Sequence, residues 1–139
     1  MKLVEIYIDG ASKGNPGPSG VGVIICHEGV VLKNISNYIG NATNNFAEYT
    51  ALIFALQEAL IIKADELNIN TDSQLLCRQL KGEYKVKSPN IVGLYNQARY
   101  LIAAFKKVSI NHIPREMNSG ADKLATQAVR KALKSQVVL

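Results

Sequence analysis

The stretch YIDGASKGNPGPSGVGVII, residues 7–25, passes from an apolar, β-branched run through a Gly/Pro-rich segment into a second apolar run. An Asp-Gly pair between two such runs is ordinarily a hairpin signal. From Ala11 to Gly20, however, the chain spends ten residues on a turn that two can make, so Asp9 reads as a carboxylate displayed at a strand end. The flanking runs supply the strands. KLVEIYID (2–9) alternates, and VGVIICHEGVVLKNISNYIG (21–40) offers two strands around Glu28-Gly29, predicting an antiparallel meander of three.

Downstream, TNNFAEYTALIFALQEALIIKA (43–64) opens on polar cap residues and carries apolar positions around more than one face, as in a helix packed on a sheet. ELNINTDS (66–73) reads as a fourth strand ending at Asp72, and SQLLCRQLKG (73–82) as a short helix stopped by Gly82. SPNIVGLYNQARYLIAAFKK (88–107) suits a helix with Pro89 in its first turn, VSINHI (108–113) a fifth strand, and residues 119–134 a last helix. The order βββ, α, β, αα, β, α predicts an α/β fold with a mixed five-stranded sheet and helices packed on it. Strands one and four can be central neighbours in such a sheet.

At 139 residues the chain fits one domain, residues 1–139, and a domain of this size buries roughly 68% of its unfolded surface. Hydrophobic residues at 47% and charged ones at 19% exclude a disordered or low-complexity chain. The net charge of +5 favours a polyanionic partner. Cys26 and Cys77 show no CxxC spacing and read as buried free thiols. With no signal pattern at the N-terminus and Glu48, Gln57 and Glu58 interrupting the apolar helix, the expectation is a soluble, cytoplasmic protein without membrane association.

Four carboxylates recur at the edges of these elements: Asp9 ending strand one, Glu48 in the first turn of the long helix, Asp72 ending strand four and Asp122 in the first turn of the last helix. Each has a local explanation. Asp9 suits a turn, Glu48 closes an Asn-x-x-Glu cap from Asn45, Asp72 caps the helix that begins at Ser73, and Asp122 sits third after an N-cap Ser119. Jointly these explanations are weaker, because two apolar strands both end in Asp and neither carboxylate has a cationic neighbour in sequence. Clustered acids either hold protons or bind divalent cations, and hard Mg²⁺ prefers such oxygens.

Four motifs in order, YIDGASKGNPGPSGVGVII, ATNNFAEYTAL, NTDSQ and NHIPREMNSGADKLA, make nearly the whole chain resemble the type 1 ribonucleases H. The resemblance implies the ribonuclease H-like fold, with three antiparallel N-terminal strands, two parallel strands and helices on both faces. It implies an endonuclease that hydrolyses the RNA strand of RNA/DNA hybrids with two Mg²⁺ or Mn²⁺ ions, leaving 3′-hydroxyl and 5′-phosphate ends. By position, Asp9 would bridge both ions, Asp72 and Glu48 would hold the nucleophile-side ion, and Asp122 would complete the other. Gly10, Asn15, Thr43, Asn44 and Gln74 match positions that bind the hybrid, and amide side chains suit 2′-hydroxyls in a wide minor groove. The glycines of the first loop make the turn and let backbone approach the hybrid; no P-loop pattern occurs. A monomer without an obligate protein partner is implied.

Two departures stand out. The basic, tryptophan-containing protrusion of many bacterial members is reduced here to LKGEYKVKSPNIVGLYNQARYL, leaving Lys81, Lys85 and Lys87 as partial substitutes, in a chain without Trp. The loop before the last aspartate, PREMNSGA, lacks the histidine often found there; Arg115 is the candidate replacement as a charge stabiliser, and His112 reads as structural. Two rivals follow: a non-catalytic hybrid-binding domain on the same fold, and a nuclease that acts on duplex RNA, whose geometry is also A-like.

Overall fold

The computed structural model describes residues 2–137; residue 1 and residues 138–139 of the predicted domain lie outside the described residues. Five strands, β1 (Leu3–Ser12), β2 (Gly17–His27), β3 (Val30–Ala42), β4 (Glu66–Thr71) and β5 (Lys107–His112), form one mixed sheet in the order β3-β2-β1-β4-β5. β1 is central, antiparallel to β2 and parallel to β4, and β5 extends the parallel half. Helices α1 (Asn44–Ile61), α2 (Gln74–Leu80), α3 (Pro89–Ile102) and α4 (Ser119–Val137) complete the chain, with a 3₁₀ turn (Arg115–Asn118) running into α4. The mixed five-stranded sheet of the sequence reading is the sheet observed.

The even positions of β1 carry Val4, Ile6 and Ile8, paired with Ile25 and Val23 of β2 and with Leu67 and Ile69 of β4, so one sheet face is continuously apolar. α1 lies on it. Ala47, Ala51, Ala55 and Ala59, spaced by four, are all fully buried, which brings the α1 backbone close to the sheet. The approach is tightest at Gly10, where a Cβ would lie 2.4 Å from the carbonyl carbon of Ala47. Each fully buried Ile or Leu in this layer contributes about 1.5–3 kcal/mol.

The opposite face is built for α4. At Gly22 a Cβ would lie 2.0 Å from the Ala121 oxygen, and at Gly20 one would lie 2.5 Å from the Ala125 oxygen, so at these two positions only glycine lets α4 lie against β2. Ala121 and Ala125 are correspondingly buried.

This packing corrects the reading of the first loop. Strand β1 does not end at Asp9 but continues through Ser12, and the turn is confined to residues 13–16. Gly17, Pro18, Ser19 and Gly20 are extended and paired with β3. Gly14, at φ +85°, and Gly17, where a Cβ would lie 2.0 Å from the Lys13 oxygen, do make the turn, whereas Gly20 serves the close approach of α4. The Ser12 and Ser19 hydroxyls, bonded to each other, both meet the Ala42 carbonyl.

The element ends also differ. α1 stops at Ile61, because Ile62 caps it and Lys63 is left-handed at φ +60°. α3 stops at Ile102, before a turn, and α4 runs to Val137.

Candidate active site

The parallel pairing of β1 with β4 ends at Ile8 and Thr71, so Asp9 and Asp72 are the first residues beyond that ladder, side by side at the carboxyl end of the sheet's parallel half. Open α/β sheets bind ligands at this edge. Glu48 arrives from α1, pressed against Gly10, and its carboxylate accepts the Gly10 N–H. Asp9, Glu48 and Asp72 each offer an oxygen, and these oxygens lie within 4.8 Å of one another. Asp9 is cross-strand partner to Gly22, hence on the face that α4 covers, and the first turn of α4 carries Asp122. Asp122 lines the same 590 Å³ cleft as the other three.

The local explanations for these acids do not hold. The N-cap of α1 is Thr43, whose hydroxyl accepts the Phe46 N–H at 3.2 Å, so Glu48 is the fifth residue of the helix rather than a first-turn partner of Asn45. The cap of α2 is Ser73, accepting from Leu76 at 3.1 Å, which leaves Asp72 free of that task. Ser119 is helical at φ −61°, ψ −33°, because the 3₁₀ turn leads directly into α4, so it is no N-cap for Asp122.

Electrostatically the cluster is costly as bare carboxylates. Burial, then the charges of Glu48 and Asp72, push Asp9 up to about 10. Burial likewise raises Glu48 to about 7, opposed by the Gly10 N–H and by a hydrogen bond with Asp9. Among the described residues no lysine or arginine forms an ion pair with any of the four; Arg115 lines the cleft without reaching them. A set of hard oxygen donors, close-packed and without a counter-ion, has the chemistry of a divalent-cation site.

Of the expected substrate residues, Gly10, Asn15 and Asn44 line the cleft. The Asn15 Oδ1 accepts the Asn44 backbone N–H at 2.9 Å, so Asn15 also serves the start of α1. Thr43 and Gln74 are exposed and do not line it. Two residues escaped the sequence reading. Asn45 lines the cleft with a buried Oδ1 that has no partner. Asn118, 1% exposed, donates from Nδ2 to the Ile8 carbonyl at 2.9 Å and to Asp72 at 3.3 Å, tying the 3₁₀ turn to both central strands. Tandem Asn44-Asn45 and an Asn four residues before Asp122 were the available signals.

Elsewhere, His112 is exposed at the last position of β5, not a buried structural residue. Lys81, Lys85 and Lys87 are exposed around the α2–α3 connection, where the Arg78 guanidinium lies 5.2 Å from the Tyr84 ring centroid. Cys77 is buried and Cys26 half-buried, both as free thiols, so the expectation of two buried cysteines holds only for Cys77.

A family model described as reverse transcriptase-like matches residues 7–128. A bifunctional protein of Mycobacterium tuberculosis is 41% identical over 137 residues, covering 97% of this chain and 37% of its own length. A ribonuclease HI of Halobacterium salinarum is 42% identical over 130 residues, covering 93% of this chain and 65% of its own length, so the chain spans only part of both relatives. The solved structure of LC11-RNase H1 in complex with RNA/DNA hybrid superposes with a TM-score of 0.89 at 41% identity, covering 94% of this chain and 99% of that one.

Proposed function

The chain belongs to the ribonuclease H family, and from that premise we propose that it is a metal-dependent endonuclease that hydrolyses the RNA strand of RNA/DNA hybrids, leaving 3′-hydroxyl and 5′-phosphate ends. The observation that carries the reading is the buried carboxylate cluster without a counter-ion at the carboxyl end of the central strands. Asp9, Glu48 and Asp72 would hold divalent ions, Mg²⁺ or Mn²⁺, with Asp122 completing the set. Bound there, such ions lower the pKa of a water and stabilise charge on a phosphodiester's leaving oxygen.

The remaining residues prepare the site. Gly10 fixes the Glu48 carboxylate through its N–H, and Asn118 fixes Asp72. Asn44 presents its side chain at the cleft while Asn15 satisfies its backbone, so Asn44 is free to read 2′-hydroxyls and Asn15 to meet backbone through its amide N–H₂. Thr43 and Gln74 would contact the hybrid from outside the cleft. Arg115 brings a permanent positive charge to the phosphate but cannot shuttle a proton. The whole activity is assigned to one domain over residues 1–139, working as a monomer.

The test is a cleavage assay on end-labelled RNA/DNA hybrid, duplex RNA and duplex DNA, each with Mg²⁺, Mn²⁺ or chelator, with product ends mapped. Metal-dependent cutting of the hybrid's RNA strand is expected, with duplex RNA as the secondary substrate. Hybrid bound but left intact in either metal would establish the non-catalytic alternative instead.

A further inference from the structure

Resting on that reading, we propose a second site for the substrate's phosphodiester backbone, formed by Lys13 and Arg130 on the surface that leads away from the carboxylates over α4. The cleft holding Asp9 and Asp122 shares Ala11 and Ser12 with a neighbouring 380 Å³ cavity, which Lys13, Thr126 and Arg130 also line. Arg130 in turn lines a 630 Å³ cavity that continues to Lys131 and Lys134. The three hollows are therefore consecutive, and Arg130 stands at the junction of the outer two.

The chemistry along this path is uniform. From Lys123 to Ser135, α4 carries Lys123, Arg130, Lys131 and Lys134 and no acidic residue, and neither outer cavity has an acid in its lining. Lys13 and Arg130 are exposed, and among the described residues neither has an ion-pair partner. Asp122, Thr126 and Arg130 follow one another at intervals of four, one helix face, which places Arg130 about 12 Å along the axis from the first-turn carboxylate. A strand leaving the acidic site in this direction meets Thr126, then the cavity that Arg130 and the lysine of the β1–β2 turn both line. This is the donor set that positions a phosphate without reading a base.

The test is equilibrium binding of a labelled RNA/DNA hybrid in chelator, as a function of salt, by the full chain and by Lys13→Gln/Arg130→Gln. Each phosphate neutralised contributes roughly −0.9 to the slope of log K against log salt, so the double variant should lose about 2 units of slope. Its KM should rise about tenfold with kcat unchanged. Lys106→Gln/Lys107→Gln removes two charges from the opposite pole, at the start of β5, and should keep the wild-type slope. Arg130→Lys should keep most of it.

An unchanged slope in the Lys13/Arg130 variant, or an equal loss in the Lys106/Lys107 control, would overturn the site while leaving hybrid cleavage by the wild type intact. Failure of the wild type itself to bind hybrid would overturn both readings.

Discussion

Replacing Asp9 by Asn should remove activity and raise the stability of the metal-free protein, by an amount that grows with pH. In the folded chain Asp9 is held near pKa 10 against an ordinary value of 3.8, and Glu48 near 7 against 4.5. Both shifts are upward, so between these limits the folded state binds more protons than the unfolded one. The favourable contribution is complete below about pH 4 and is lost as pH rises through 7 towards 10.

Two routes bracket the size at pH 8. A pair of unit charges 4.8 Å apart, at an effective dielectric near 20, repel by about 3.5 kcal/mol. Keeping the Asp9 proton at pH 8, roughly 4 units above its ordinary pKa, costs about 6 kcal/mol by linkage. Asn is neutral in both states and can donate to Glu48 as protonated Asp9 does. Asp9→Asn should therefore gain about 3–6 kcal/mol at pH 8, a rise of about 10 °C or more in Tm, and only about 1–2 kcal/mol at pH 5.

Thermal melts in chelator at both pH values measure this, and saturating Mg²⁺ should raise wild-type Tm at pH 8 far more than that of the variant. A variant that melts at or below wild type at pH 8, or a wild type whose Tm is flat between pH 5 and 8, would refute the electrostatic account of the cluster.

Asp72→Asn should abolish cleavage while hybrid binding in chelator persists, as a parallel anisotropy and cleavage assay would register. Gly22→Ala puts a methyl group into the Ala121 carbonyl, forcing away the turn that bears Asp122; urea melts should fall by about 2–3 kcal/mol, and kcat of the folded fraction at least tenfold. Asn44→Ala should erode preference for hybrid over duplex DNA more than it slows hybrid turnover, seen in kcat/KM on both substrates. Arg115→Ala should lower turnover roughly tenfold, about 1.4 kcal/mol of transition-state stabilisation, with Arg115→Lys partly active, by steady-state kinetics.

The sheet was readable because its signals are local. Alternation in KLVEIYID, the polar cap residues that open TNNFAEYTALIFALQEALIIKA and the Asp at the end of each of two apolar runs are written within single elements. The carboxylate set was readable for the same reason, since each acid sits next to an element edge. What local pattern misassigned was the segment Gly17–Gly20. Gly and Pro there match turn composition, yet the segment is extended and paired with β3, and the partner that requires glycine at Gly20 is Ala125, more than a hundred residues downstream. A glycine that answers to a helix laid across a strand has the same symbol as a glycine that answers to a turn.

Asn118 shows the same limit from the polar side. Nothing in REMNSGA distinguishes an asparagine in a loop from one that reaches the Ile8 carbonyl across the sheet edge, a contact spanning 110 residues. Yet that contact gives the acids their common frame: Gly10 N–H holds Glu48, Asn118 holds Asp72, and Gly22 admits the turn that carries Asp122. Three of the four carboxylates are thus placed by residues with no charge of their own. It follows that substitutions at Gly22 and Asn118 should cost activity in the way a misplaced ligand does, whereas at the acids themselves activity and metal-free stability should move in opposite directions.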